Sequence, residues 1–72
     1  MLQQRLGKRI ADLRRAKKLT QEQFAEAIGC SVEFISLVER GVNAPSVAGL
    51  EKFSNVLSGE VKELFTFEDK QR

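Results

Sequence analysis

Leu2, Leu6, Ile10 and Leu13 recur at intervals of four, four and three residues. That spacing lays one apolar stripe along a helix, and Lys8, Arg15 and Lys18 fall away from it. Lys17, Lys18 and Leu19 then lead out to a polar break. Thr20 is a helix N-cap, and Gln23 three residues later completes a Thr-x-x-Gln capping box. Phe24, Ala25 and Ile28 supply an apolar face, and Gly29 stands where a left-handed C-cap belongs, so the second helix is predicted over 21–28. Ser31 caps a third helix over 32–40, with Glu33 in the first turn and Ile35 and Val38 pointing inward. Gly41 ends it. Val42, Asn43, Ala44 and Pro45 read as a loop, because proline biases Ala44 away from helix.

Ser46 caps a fourth helix whose apolar positions are Val47, Leu50, Phe53 and Leu57. Gly49 inside it costs about 1 kcal/mol relative to alanine, which predicts a close helix contact there. Ser58 and Gly59 break the chain, and Val61, Leu64 and Phe65 predict a last short helical segment. The pattern is all-α, with five helical segments in one domain over 1–67 and a C-terminal tail over 68–72. The starting Met and the complete set of segments suggest a whole protein rather than a fragment.

Seventy-two residues make one domain at most. A chain this short hides only about 60% of the surface it exposes when unfolded. Cys30 is the only cysteine and there is no histidine, so neither a disulfide framework nor a closed zinc site is expected. Stability must come from packed helices or from a dimer sharing its core. No apolar run is long enough for a signal peptide or a membrane span, and a cytoplasmic location is expected. The first eighteen residues carry seven basic side chains against Asp12 alone, a charge of +6, which leaves −4 on the rest of a chain with net charge +2. A basic end on a mildly acidic domain suits a polyanionic partner, although a solvated helix face is the plainer account.

The second and third segments, joined through Gly29, Cys30 and Ser31, form a helix-turn-helix pattern. In that geometry the second helix can enter the major groove while the first crosses the backbone. The run LTQEQFAEAIGCSVEFISLVERGVNAPSVAGLEKF resembles the lambda-repressor-like, Cro/cI-type (XRE-type) DNA-binding domain, through LTQEQFAEAIG, ISLVERG, NAPS and the later KELF. The resemblance extends from about Leu6 to Phe65 and implies a compact five-helix bundle that docks on double-stranded DNA. It implies that Gln21 meets a phosphate and braces the recognition helix. It places Val32, Glu33, Ser36 and Leu37 toward base edges, and Arg40 and Asn43 near phosphates with help from main-chain N–H groups of the following loop. It also implies an ion pair between Arg14 and Glu39, the alternative being two solvated charges.

The reading face departs from the common pattern of such domains, since Val32, Glu33, Phe34, Ser36 and Leu37 include no side chain able to make the two-pronged guanine contact of arginine. Val32 or Leu37 can meet thymine methyls, Glu33 can accept from cytosine, and Ser36 can bond either way. More reliance on DNA shape is then expected. Phe34 either rests on a deoxyribose or the Pro45 loop, or extends the core. Cys30 is expected to pack as a small hydrophobe, with no Lys or Arg beside it in sequence to lower its pKa. Leu64, Phe65 and Phe67 are candidates for a homodimer interface, which would present two half-sites about 34–36 Å apart or a multiple of that; the alternative is a tail folded on its own domain. An enzyme is not expected, with no histidine base, glycine-rich phosphate loop or partnered nucleophile. No cofactor, metal or small-molecule ligand is expected. The expected function is a transcriptional regulator, a repressor that occupies an operator with two-fold half-sites. A protein-binding module such as an antitoxin or adaptor is the alternative, with Phe34 and Leu37 as its exposed apolar patch.

Overall fold

A computed structural model describes residues 1–67. The expected tail over 68–72 lies outside the described residues. The chain runs through α1 (Leu2–Ala16), α2 (Gln21–Ile28), α3 (Val32–Glu39) and α4 (Val47–Leu57), and ends in a 3-10 helix (Val61–Phe65). No strand occurs among the described residues.

The helix ends follow from their capping residues. Thr20 Oγ1 accepts from Gln23 N at 3.0 Å while Gln23 Oε1 accepts from Thr20 N at 2.9 Å, so two otherwise unpaired N–H groups are satisfied reciprocally. Ser31 Oγ accepts from Phe34 N and Ser46 Oγ from Gly49 N, both at 3.0 Å. Gly29 closes α2 at φ 89°, a backbone shape that costs glycine little because it lacks a Cβ. Its N–H and that of Cys30 both donate to Ala25 O. The chain therefore turns within three residues and delivers α3 against α2.

The core consists of Leu6 and Ile10 from α1, Phe24 and Ala25 from α2, Ile35 and Val38 from α3, Phe53 and Leu57 from α4, and Leu64. Phe24 and Phe53 meet edge to face with centroids 5.1 Å apart, the arrangement their quadrupoles favour. Ser54 is buried, and its hydroxyl donates to Glu51 O at 2.8 Å.

Several expectations need correction. The fifth segment is a five-residue 3-10 helix, not a fifth α-helix. Five residues offer too few i→i−4 bonds to offset the cost of nucleation, and the segment is instead pinned to α1, where Arg9 Nε donates to Glu63 O at 2.8 Å. Leu2 belongs to the apolar stripe by spacing but is 60% exposed. The first turn of α1 is held on its polar side, by Gln3 Nε2 donating to Gly41 O at 3.1 Å, which leaves Leu2 facing out. Val47, the first residue of α4, is 84% exposed. Gly49 makes no close helix contact; a Cβ there would meet only Pro45 and Ser46 of its own N-terminal turn. The close approach occurs at Gly7 of α1, where a Cβ would overlap the Val38 carbonyl oxygen and lie 2.7 Å from that of Glu39. Absence of a side chain at Gly7 is what lets the end of α3 lie directly on α1.

Candidate nucleic-acid interface

Three elements fix the orientation of α3. Gly29 sets the turn from α2, Gly7 admits its C-terminal end against α1, and a buried polar network locks that end in place. Arg14 Nε donates to Glu39 Oε2 at 2.7 Å and its Nη2 to Glu39 Oε1 at 3.2 Å, a two-pronged, charge-assisted pair. The third guanidinium nitrogen, Nη1, donates to Leu19 O at 2.7 Å, which ties the turn between α1 and α2 to the same site. Gln21 Nε2, at the start of α2, donates to Glu39 Oε1 at 2.9 Å. One carboxylate thus receives three N–H groups from two helices. The pair is nearly dry, with the Arg14 and Glu39 side chains only 9% and 6% exposed. Among the described residues no buried side-chain nitrogen or oxygen is left without a hydrogen-bond partner.

With Ile35 and Val38 buried, a rotation of about 100° per residue puts Glu33, Ser36, Leu37 and Arg40 on the opposite side of α3, with Val32 at its flank. Glu33 and Arg40 are exposed, Ser36 and Leu37 half-buried, and Val32 is 38% exposed. Asn43 is exposed in the following loop, and Gln21 is half-buried at the near end of α2. These positions lie along α3 and at its C-terminal end.

The main chain after α3 differs from expectation. Val42 N and Asn43 N both donate to Leu37 O, at 2.9 and 3.3 Å, so these two N–H groups cap α3 instead of facing outward. The exposed Asn43 side chain, not its amide, is what the loop offers there. Phe34 is half-buried: it packs against the core and lines an open cleft with Cys30, Pro45 and Phe53. Leu37, the other residue of the expected partner-binding patch, is half-buried as well. Cys30 is half-buried beside the same cleft. Burial pushes its thiol pKa up, and the Lys52 ammonium pulls it back by a smaller amount. The cation absent from its sequence neighbourhood arrives from α4 instead.

Five of the seven basic side chains in the first eighteen residues have a partner among the described residues. Lys8 pairs with Asp12 at 3.0 Å, Arg15 with Asp12 at 3.6 Å, Arg9 with Glu63 at 3.3 Å, and Arg14 with Glu39. Arg5 lies over the Phe67 ring, 4.7 Å from its centroid. Lys17 and Lys18 are exposed and enter no ion pair among the described residues. They occupy the turn that leads straight into Gln21, and Lys18 adopts φ 61°. Their nearness to the start of α2 follows from that tight turn.

Of the three interface candidates near the C-terminus, Leu64 is 0% exposed and fills the core of a single copy, so it has no surface to offer a partner. Phe65 and Phe67 are half-buried and stack edge to face on each other, 6.3 Å apart. No described helix is long and apolar enough to cross a membrane, and the described residues contain no group of three or more metal-ligating side chains.

The profile of the helix-turn-helix family (HTH_3) matches residues 10–64. YazB of Bacillus subtilis, an uncharacterised HTH-type transcriptional regulator, is 41% identical over 58 residues, which cover 81% of this chain and 84% of YazB. The restriction-modification controller protein C.AhdI from Aeromonas hydrophila superposes with a TM-score of 0.82 at 35% identity, over 86% of this chain and 94% of its own. SinR, a master regulator for biofilm formation solved in complex with DNA, superposes with a TM-score of 0.77 at 34% identity, over 85% of this chain and 98% of its own. With a matched profile that covers most of the chain and a relative of this identity, the protein belongs to the helix-turn-helix (HTH_3) family.

Proposed function

We propose that this chain is a sequence-selective DNA-binding transcriptional regulator, a repressor that lays α3 in the major groove of its operator as a homodimer in the cytoplasm. The observation that carries this reading is the Arg14–Glu39–Gln21 network, which ties the C-terminal end of α3 to α1 and α2, with one face of α3 buried and the other turned outward. A DNA complex of the SinR neighbour supports the partner class. Gln21, Arg40 and Asn43 contact phosphates, with Lys17 and Lys18 close by. Val32, Glu33, Ser36 and Leu37 meet base edges. Phe65 and Phe67 supply the two-fold contact, so that half-sites fall about 34–36 Å apart or a multiple of that. Such docking needs no cofactor and no catalysis.

Selection of bound duplexes from random DNA, followed by titration of the winner at several salt concentrations, tests the proposal. The expected result is a two-fold site whose log affinity falls linearly with log salt, by about 0.9 per neutralised phosphate. Gln21→Ala weakens binding to all sequences, whereas Ser36→Ala or Leu37→Ala shifts preference among them. Absence of any selected site, or an affinity indifferent to salt, overturns the reading in favour of a protein partner.

A further inference from the structure

Glu33 is a carboxylate on a surface proposed to meet a polyanion. It is exposed in the first turn of α3, and among the described residues its side chain enters no ion pair. Arg40, the cation on the same line of α3, is seven residues on, two turns or about 10 Å away along the axis. With no ion pair to Glu33 among the described residues, docking on DNA must bring it either to a favourable partner or to phosphates that repel it.

In the major groove a carboxylate can only accept hydrogen bonds, and few base atoms donate. Guanine presents N7 and O6, both acceptors, and thymine presents O4 and a methyl group. Adenine offers N6–H, but between two acceptors, its own N7 and the O4 of the paired thymine. Cytosine offers N4–H with C5–H on one side, so only one neighbour repels. Val32 beside Glu33 and Leu37 one turn along are apolar and do not compete for the donor.

We propose that Glu33 is the base-selecting residue of α3 and fixes one position of each half-site as cytosine. It does so as much by rejecting guanine and thymine, whose acceptors would face the carboxylate, as by bonding to cytosine N4. This rests on the DNA-docking reading above.

The test compares sites selected from random DNA by the unaltered chain, by Glu33→Gln and by Glu33→Ala. The unaltered chain selects one cytosine per half-site, preferred roughly tenfold. Glu33→Gln moves the preference at that same position to adenine, because a carboxamide both donates to N7 and accepts from N6–H. Glu33→Ala loses preference there and keeps it elsewhere. The side chain is exposed, so both variants stay folded, and melting falls by only a few degrees in each through loss of the helix N-terminal charge. Identical preferences for all three proteins overturn the proposal and leave Glu33 as a helix N-terminal charge only. If the unaltered chain selects no sequence, the DNA-docking reading itself fails and takes the proposal with it.

Discussion

Glu39→Leu removes the acceptor for three N–H groups at once and leaves the Arg14 guanidinium, 9% exposed, facing a hydrocarbon. Breaking a buried pair by removing one partner costs about 3–5 kcal/mol, because the surviving charge keeps its desolvation penalty. Domains of this length are typically stable by only ~4–11 kcal/mol in total. The single variant should therefore lose much of its stability, and its melting temperature should fall by roughly 15–30 °C. Arg14→Met should do the same from the other side. The double variant separates the accounts. Removing both charges leaves no stranded ion, only Leu19 O without its 2.7 Å donor and Gln21 Nε2, which is half-buried and can reach water. Its cost should be about 1–2 kcal/mol, less than that of either single variant. Urea unfolding followed by circular dichroism at 222 nm, with slopes compared across the four proteins, measures this directly. If each single change costs under about 1 kcal/mol and the two add, the pair is exchanging with solvent and the argument for a locked α3 collapses.

Gly7→Ala should destabilise by about 1–3 kcal/mol, since its Cβ meets main-chain carbonyls of Val38 and Glu39 that cannot swing aside. Gly29→Ala has open space around it and is penalised only for φ 89°, so thermal melts should rank it milder, at roughly 1 kcal/mol; the reverse order would show that the turn, not the helix contact, is the tighter constraint. Thr20→Ala should cost about 1 kcal/mol through loss of the capping box, and amide exchange should show the first turn of α2 fraying before the rest. Cys30 should alkylate more slowly than a free thiol at pH 8, because burial holds it protonated to higher pH, and Lys52→Ala should slow it further. Burial penalises only the thiolate, so the fold keeps its full stability while the thiol is protonated and loses some as pH rises past the unfolded value and through the raised folded one; an alkylation profile matching that of a free thiol would contradict the burial.

Much of this was legible in the chain because it is local. A cap needs a hydroxyl and an N–H three residues away, and the N-terminal ends of α2, α3 and α4 and the C-terminal end of α2 depend on nothing more remote than Thr20, Ser31, Ser46 and Gly29. Periodicity identifies which side of a helix is apolar, and it located Phe24, Ile35, Val38 and Phe53 correctly. It cannot say where a neighbour stops. Leu2 and Val47 keep the period but lie at first turns that other elements do not cover. Gly49 and Gly7 illustrate the same limit, because an interior glycine is equally conspicuous in both helices and only the packed partner reveals which one is in close contact. Of the side chains at the interface, Arg14 and Glu39 are 25 residues apart and were reached through family resemblance, not through spacing.

The sequence by itself determined the four helices, their caps, the tight turn at Gly29 and the inward stripes, since each follows from backbone hydrogen bonding and side-chain period within a few residues. Only the tertiary structure decided that the last segment is a 3-10 helix pinned by Arg9, that Leu64 belongs to the core and not to a surface, and that Glu39 is shared by Arg14 and Gln21. Those outcomes depend on which distant groups compete for the same space and the same hydrogen bonds, and that competition exists only once the helices are packed.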